Sequence, residues 1–409
     1  MRDSSAFKIV EFRDSHEWRF FEINPNDSLE MQLDCPADGE KLKIVCTFMG
    51  NAGLQSLRVG VCDACGYFGY IDRPSKQTMH DFYSHDWDEA VNKNIEEEVR
   101  VTKDRGTLHK DKKRKRDIAK FAEKFAFDRR KYVLEIGTGY GGTLKEMRAL
   151  GFSKLIGMEN SIHRAEVATR AYGLKVLSTA FEEPVTQNEL KKYAPYGLIF
   201  SHHVLEHVYH PNEVIKLVAG LQQQGDYLIL SMPNNDNEPS LGKLMFLPHL
   251  HSFSNESLTR LLEKNGYKIL DDSLTTNLEL YFLAQKTDKI INRIASVSHF
   301  EKSKKSLINS LGLNQVYSYE PRTLWSDRVL DFGGQKAIYE NNFAEKVDEF
   351  LNRIKNRRKI VAHTGYKRWI LKPRSNHSLV IKNIEQRYTN LDESPIEIQF
   401  EGNIKLAVK

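Results

Sequence analysis

The chain has 409 residues, 40% of them apolar, and a formal charge of +5. At ~150 residues per domain that length predicts two or three domains, with enough apolar content to bury a core. The small charge does not announce a nucleic-acid protein, which concentrates a basic face, and no apolar run approaches the ~18 residues that span a bilayer.

Met1-Arg-Asp-Ser-Ser leads into mixed charge, without the apolar stretch of a signal peptide, so the expected setting is cytoplasmic and soluble. Residues 1–72 are expected to form a strand-rich unit, from runs such as Leu42-Lys-Ile-Val-Cys and Leu57-Arg-Val-Gly-Val-Cys. All four cysteines fall there, too few in a chain this long for a disulfide scaffold. Cys62-Asp-Ala-Cys-Gly is a knuckle whose small turn aims two thiolates at one tetrahedral metal. Residues 73–125 read as a charged helical connector. Its basic run Lys110–Arg116 precedes an amphipathic pattern with Phe121 and Phe125 on one face. That run is expected to be a solvated helix start. Acids flank it and few aromatics interleave, so nucleic-acid binding is not expected, although phosphates of a small ligand could use the charges.

Residues 126–286 alternate strands with helices, the pattern of a doubly wound parallel sheet. Val133-Leu-Glu-Ile-Gly-Thr-Gly-Tyr-Gly-Gly is an apolar strand opening into a glycine loop, followed by a helix stopped at Gly151. The next strand ends in Glu159, placed to accept hydrogen bonds from both ribose hydroxyls of an adenosine cofactor. Gly137, Gly139 and Gly142 also satisfy the dinucleotide pattern. Glu135, two residues before the loop, is unfavourable beside a pyrophosphate and favourable beside the sulfonium and ammonium of S-adenosylmethionine. A helix is expected over Asn255–Lys264, with Ser254 as its N-cap and Gly266 as its stop, then a strand over Leu278–Gln285. Residues 287–409 form a C-terminal extension of mixed pattern.

With these motifs in place, the chain resembles the class I S-adenosylmethionine-dependent methyltransferases over roughly residues 125–286. Tyr196–Val208, containing Val-Leu-Glu-His-Val, looks like that family's fourth strand and its exit, and Leu228-Ile-Leu-Ser-Met-Pro-Asn looks like its fifth. His249-Leu-His-Ser-Phe-Ser, running on to Asn265-Gly-Tyr, matches a later segment. The resemblance implies a Rossmann-like core with the ligand at the carboxyl ends of the strands. Glu135, Gly137, Thr138, Gly139 and Gly141 would line the methionine and ribose side. Glu159 and Asn160 would hold the ribose, Ala180 and Phe181 would flank adenine, and Ser201 and His202 would close the pocket. Gly142 reads better as a helix-packing glycine.

Upstream, Cys62-Asp-Ala-Cys-Gly, Arg73-Pro-Ser and Phe82-Tyr-Ser resemble the zinc-bearing N-terminal module of sugar C-methyltransferases. That module has a second Cys-x-x-Cys, but here the first pair reads Cys35-Pro-Ala-Asp-Gly. The expected ligands are Cys35, Cys62 and Cys65, with the fourth open between Cys46 and Asp38; the alternative is a metal-free module of buried thiols. In the same family a His-Leu-x-x-Phe-Ser segment carries a catalytic histidine, although Leu247-Pro stands where an acid is usual. The resemblance therefore nominates His249 as general base, with His251 second and His202 beside the cofactor. Both loop histidines could instead merely order the loop. His203 and His207, four apart, face one way on a helix, but no third metal ligand is apparent nearby in sequence. The expected activity is methyl transfer to a small polar acceptor, a sugar or nucleotide-sugar, by a chain that could form a homodimer. The alternatives are an RNA or protein methyltransferase and a catalytically silent cofactor-binding scaffold.

Overall fold

The computed structural model describes residues 7–12, 18–23, 29–48, 57–81, 94–181, 183–236, 249–291 and 298–303, and six short strand pieces beyond 326. The N-terminal unit contributes β1 (Phe7–Phe12), β2 (Trp18–Ile23), β3 (Leu29–Met31), β4 (Lys43–Phe48), β5 (Leu57–Val61), β6 (Phe68–Tyr70) and β7 (Asp72–Pro74). The described residues of the connector form α1 (Lys76–Asp81), α2 (Ile95–Arg105) and α3 (His109–Lys124).

The core then alternates β8 (Tyr132–Ile136), α4 (Gly142–Arg148), β9 (Leu155–Glu159), α5 (Ile162–Tyr172), β10 (Lys175–Ser178), α6 (Pro184–Lys191), β11 (Tyr196–His202), α7 (Pro211–Gly220) and β12 (Tyr227–Pro233). β13 (His251–Ser252), the helix Asn255–Lys264, β14 (Tyr267–Asp271) and β15 (Glu279–Lys286) complete it. The sheet order is β10-β9-β8-β11-β12-β15-β14. The first five strands are parallel, and β15 runs antiparallel to both β12 and β14. β8 and β11 are near-continuous apolar runs because helices cover both faces. One apolar layer holds Ile118 and Phe121 of α3, with Phe125 packed against it. The other gathers α7 and the helix Asn255–Lys264. Chain order reverses between β8 and β11, so their carboxyl ends open a crevice.

Ser254 caps the helix Asn255–Lys264 by accepting from Ser257 N, and Gly266 follows with φ 77°, as its sequence predicts. Described strands of the C-terminal extension join sheets of the N-terminal unit. β16 (Asp327–Asp331) pairs with β4, and β18 (Ile360–Thr364) pairs with β1, so chain ends share sheets. β13 adds to the edge of β6, which joins the N-terminal unit to the core. Among the described residues no helix is long and apolar enough to cross a membrane.

Candidate functional site

The glycine loop follows directly from the end of β8. Gly137 adopts φ 77°, and a Cβ there would collide with Val204 from the β11 exit. Only glycine meets both demands. Thr138 ties the loop to the second strand: its hydroxyl donates to Glu135 O at 3.1 Å and accepts from Met158 N at 2.9 Å. Glu159 accepts from Gly139 N at 2.7 Å and from Ser161 N at 3.1 Å. It therefore positions the loop and keeps lone pairs for further donors.

A cavity of about 1200 Å³ opens at this crevice. Gly137, Thr138, Gly139, Glu159 and Asn160 line one side of it. Ala180, Phe181 and His202 line another. Gly141 and Ser201 are not in the lining. Gly141 opens α4 in the left-handed region, where a Cβ would crowd Leu174 at 2.6 Å. Ser201 donates to Ile136 O at 3.2 Å and so binds β11 to β8. Gly142 has a packing role, because a Cβ there would collide with the Asp111 carboxylate.

Glu135 lies behind the loop, 1% exposed, with Oε2 lacking a hydrogen-bond partner. Burial pushes its carboxyl up to about 8, despite the opposing pull of Arg114, with Asp111 adding to the rise. Between the ordinary carboxyl value and about 8 the folded chain holds a proton that the unfolded chain has lost. Stability therefore falls as pH rises through that window. Glu135→Gln is expected to flatten that fall, measured as thermal midpoint against pH from 5 to 9; an unchanged slope would assign the fall to other groups.

The three nominated histidines part company. His202 lines the cavity, with Nε2 3.2 Å from Tyr281 Oη and Nδ1 unpartnered. Burial, then the charges of Arg114 and His203, hold it well below its ordinary value. His251 is buried, with Nδ1 bonded to Tyr67 Oη and Nε2 2.9 Å from Val208 O. Burial pushes it down to about 3, so it is neutral, and it stands outside the cavity lining. Its geometry is that of a joint between the N-terminal unit and the core. His249 is half-buried, also outside the lining, and packs edge-to-face on His207 at 4.7 Å between centroids.

The sequence offered the basic run to phosphates but did not place it at the cofactor loop. Lys110 and Arg114 of α3 line the cavity, as do Lys76, Arg105 and Arg164. The basic run is thus not simply a solvated helix start. Asp111 caps α3 by accepting from Leu108 N at 3.1 Å, and accepts from Thr143 Oγ1 at 3.2 Å. That pins α3 over the glycine loop. The available signal was an acid at the third position of a helix start, which marks how the helix begins but not where it packs.

The N-terminal cluster brings Cys35, Asp38, Cys62 and Cys65 together, with one ligand atom from each within 4.8 Å of the others. Cys35 and Cys65 Sγ are 3.6 Å apart, and Cys62 Sγ is 3.3 Å from Asp38 Oδ2. Each knuckle closes on a glycine in the left-handed region: Gly39 N bonds Cys35 O, and Gly66 N bonds Cys62 O. Burial, then hydrogen bonds to Cys62 and Cys65, push the Cys35 thiol far up, while contacts with Cys35 and Cys65 draw Cys62 down. The side chain of Cys46 lies outside the described residues, as do Leu247, Pro248 and Phe82-Tyr-Ser.

Residues 110–272 match the family described as a methyltransferase domain. No curated protein matches the chain. Among solved structures, an S-adenosylmethionine-dependent methyltransferase from Mesorhizobium loti is 13% identical over 38% of this chain and 90% of its own, with TM-score 0.32. Magnesium protoporphyrin IX methyltransferase from Synechocystis, solved with bound S-adenosylhomocysteine, is 14% identical over 52% of this chain and 100% of its own, with TM-score 0.36. A possible histamine N-methyltransferase from Thermotoga maritima is 23% identical over 38% and 82%, with TM-score 0.29. Likenesses this remote carry no information on the acceptor. The core is a methyltransferase domain built on a class I-type doubly wound sheet. That domain makes methyl transfer the reaction the site has to serve.

Proposed function

We propose that the acceptor is a small anionic metabolite, a sugar phosphate or nucleotide-sugar. The observation that carries this reading is the cationic wall. Lys76, Arg105, Lys110, Arg114 and Arg164 share one cavity with the cofactor loop, against the acids Asp111, Glu159 and Glu183. S-adenosylmethionine carries only one carboxylate, so this excess suits a second, more anionic ligand.

S-adenosylmethionine supplies an activated methyl group whose leaving thioether is neutral. The chain's part is alignment of donor and acceptor at a reacting distance of about 3–3.5 Å. Glu159 orients the ribose through its hydroxyls, and the Gly137–Gly139 backbone lets the donor approach without a Cβ in the way. If the acceptor is a hydroxyl, its proton must leave. Of the three nominated histidines, His202 alone lines the cavity, and its free Nδ1 can accept that proton. An anionic acceptor beside it would restore the basicity that burial removes. The base is thereby assigned to His202 rather than His249 or His251.

A screen of phosphorylated sugars and nucleotide-sugars with labelled S-adenosylmethionine tests the proposal. Arg105→Ala should raise KM for the accepted compound ~10-fold and leave donor affinity unchanged. His202→Asn should lower kcat ~10²-fold. Neutral acceptors turning over as well as phosphorylated ones would sink the anionic reading.

We also propose that Cys35, Asp38, Cys62 and Cys65 hold a structural zinc ion. The sulfur spacing fits: at ~2.3 Å from zinc, two thiolates on a tetrahedron stand roughly 3.7–3.8 Å apart, against 3.6 Å for Cys35 and Cys65. Asp38 also lies 3.7 Å from the buried guanidinium of Arg260, which would offset the charge of three thiolates and a carboxylate.

A further inference from the structure

The exit of β11 holds a second group of metal-ligating side chains. Glu206, His207 and His249 offer one ligand atom each, all within 4.8 Å of one another. Glu206 is 1% exposed, and neither of its oxygens accepts a hydrogen bond of normal geometry. His203 Nδ1 stands 3.3 Å from it and His207 Nε2 3.8 Å. A carboxylate this buried needs a cation, or several donors aimed at it, to offset its desolvation. His203, held at φ 54°, is shared between Glu206 and Glu279, so it neutralises Glu206 only in part. His207 lines the cofactor cavity, which puts the group within reach of an acceptor.

We propose that Glu206, His207 and His249 bind one divalent first-row cation at the edge of the acceptor cavity, where it takes an oxygen of the acceptor as a further ligand. This deepens the methyl-transfer reading and rests on it. Two imidazoles and one carboxylate form a donor set that leaves coordination positions open. With metal–ligand bonds of ~2.0–2.2 Å, ligand atoms of one ion stand roughly 3–3.5 Å apart, so the three groups draw inward by about an ångström. His207 and His249 are half-buried and already meet edge-to-face at 4.7 Å between centroids.

A hydroxyl held by the cation is more acidic. Its proton passes to His202 or to water. The acceptor oxygen forms the new bond to the methyl carbon as the carbon–sulfur bond breaks, and that electron pair stays on sulfur in the neutral thioether. Nothing is oxidised or reduced. The proposal therefore selects O-methylation, and it gives His249 a role distinct from general base.

The test is a titration of the full chain with Mn²⁺, followed by the paramagnetic resonance of the free ion. Zinc is supplied first at one equivalent to fill the thiolate cluster. The same preparations are titrated calorimetrically with S-adenosylhomocysteine. One Mn²⁺ bound per chain is expected, weakened ~10-fold or more in His249→Ala and in Glu206→Gln, with S-adenosylhomocysteine affinity retained in His249→Ala. Absence of Mn²⁺ binding in a wild-type chain that binds S-adenosylhomocysteine normally overturns the cation site and leaves the methyl-transfer reading intact. Undiminished Mn²⁺ binding in both variants overturns the ligand assignment. Failure of the wild type to bind S-adenosylhomocysteine removes the underlying reading, and the proposal with it.

Discussion

Glu159→Ala is expected to weaken S-adenosylmethionine binding ~10²-fold or more. Two effects add. The ribose hydroxyls lose a carboxylate acceptor, and each such hydrogen bond is worth about 1.5–3 kcal/mol. The loop also loses its anchor, because Glu159 holds Gly139 N at 2.7 Å and Ser161 N at 3.1 Å. Glu159→Gln retains one acceptor oxygen and should fall between the wild type and the alanine variant. Calorimetric titration of the three proteins measures the series. Equal affinity in all three would mean that the ribose is held elsewhere.

Zinc removal is expected to have the largest effect on stability. Zinc binding in small finger peptides contributes about 10–16 kcal/mol. Here Cys35, Cys62, Cys65 and Tyr67 also belong to the apolar cluster that packs on the core, so part of the unit's stability survives without metal. A loss of ~3–5 kcal/mol is expected, which lowers the thermal midpoint by roughly 10 °C. Elemental analysis should find one zinc per chain in addition to any ion at Glu206. Asp38→Ala should loosen the metal and Asp38→Cys, which completes four thiolates, should tighten it. A chain without zinc whose melting is unmoved by a strong chelator would show that the cluster is a set of packed, protonated thiols.

Features carried by local chemistry were readable from the sequence. Gly137 and Gly139 announced the loop because a positive φ and a close backbone approach exclude other residues. Glu159 announced itself by ending a strand beside that loop, and Ser254 by capping a helix. Asp38 stood as a candidate ligand because the Cys35 turn repeats the Cys62 turn with an acid in the final place. Features set by tertiary placement were not readable. α3 looks like a solvated basic helix until Asp111 is seen bonded to Thr143 across the glycine loop. His251 sits in a segment that looked catalytic, yet its ring is bonded to Tyr67, 184 residues away in sequence. The pair His203 and His207 lacked a third ligand because His249 arrives from beyond β12. The group brought together is Glu206, His207 and His249, without His203. The pairing of the extension with β4 and β1 was not readable because it joins strands from opposite ends of the chain.

Calorimetric titration of wild-type and Glu159→Ala protein with S-adenosylhomocysteine, with NADH as the competing ligand, tests the cofactor assignment most directly. One site per chain for S-adenosylhomocysteine is expected in the wild type, with strong loss in the variant and no binding of NADH. Binding of NADH alone would return Gly137, Gly139 and Gly142 to a pyrophosphate role and contradict the methyltransferase assignment.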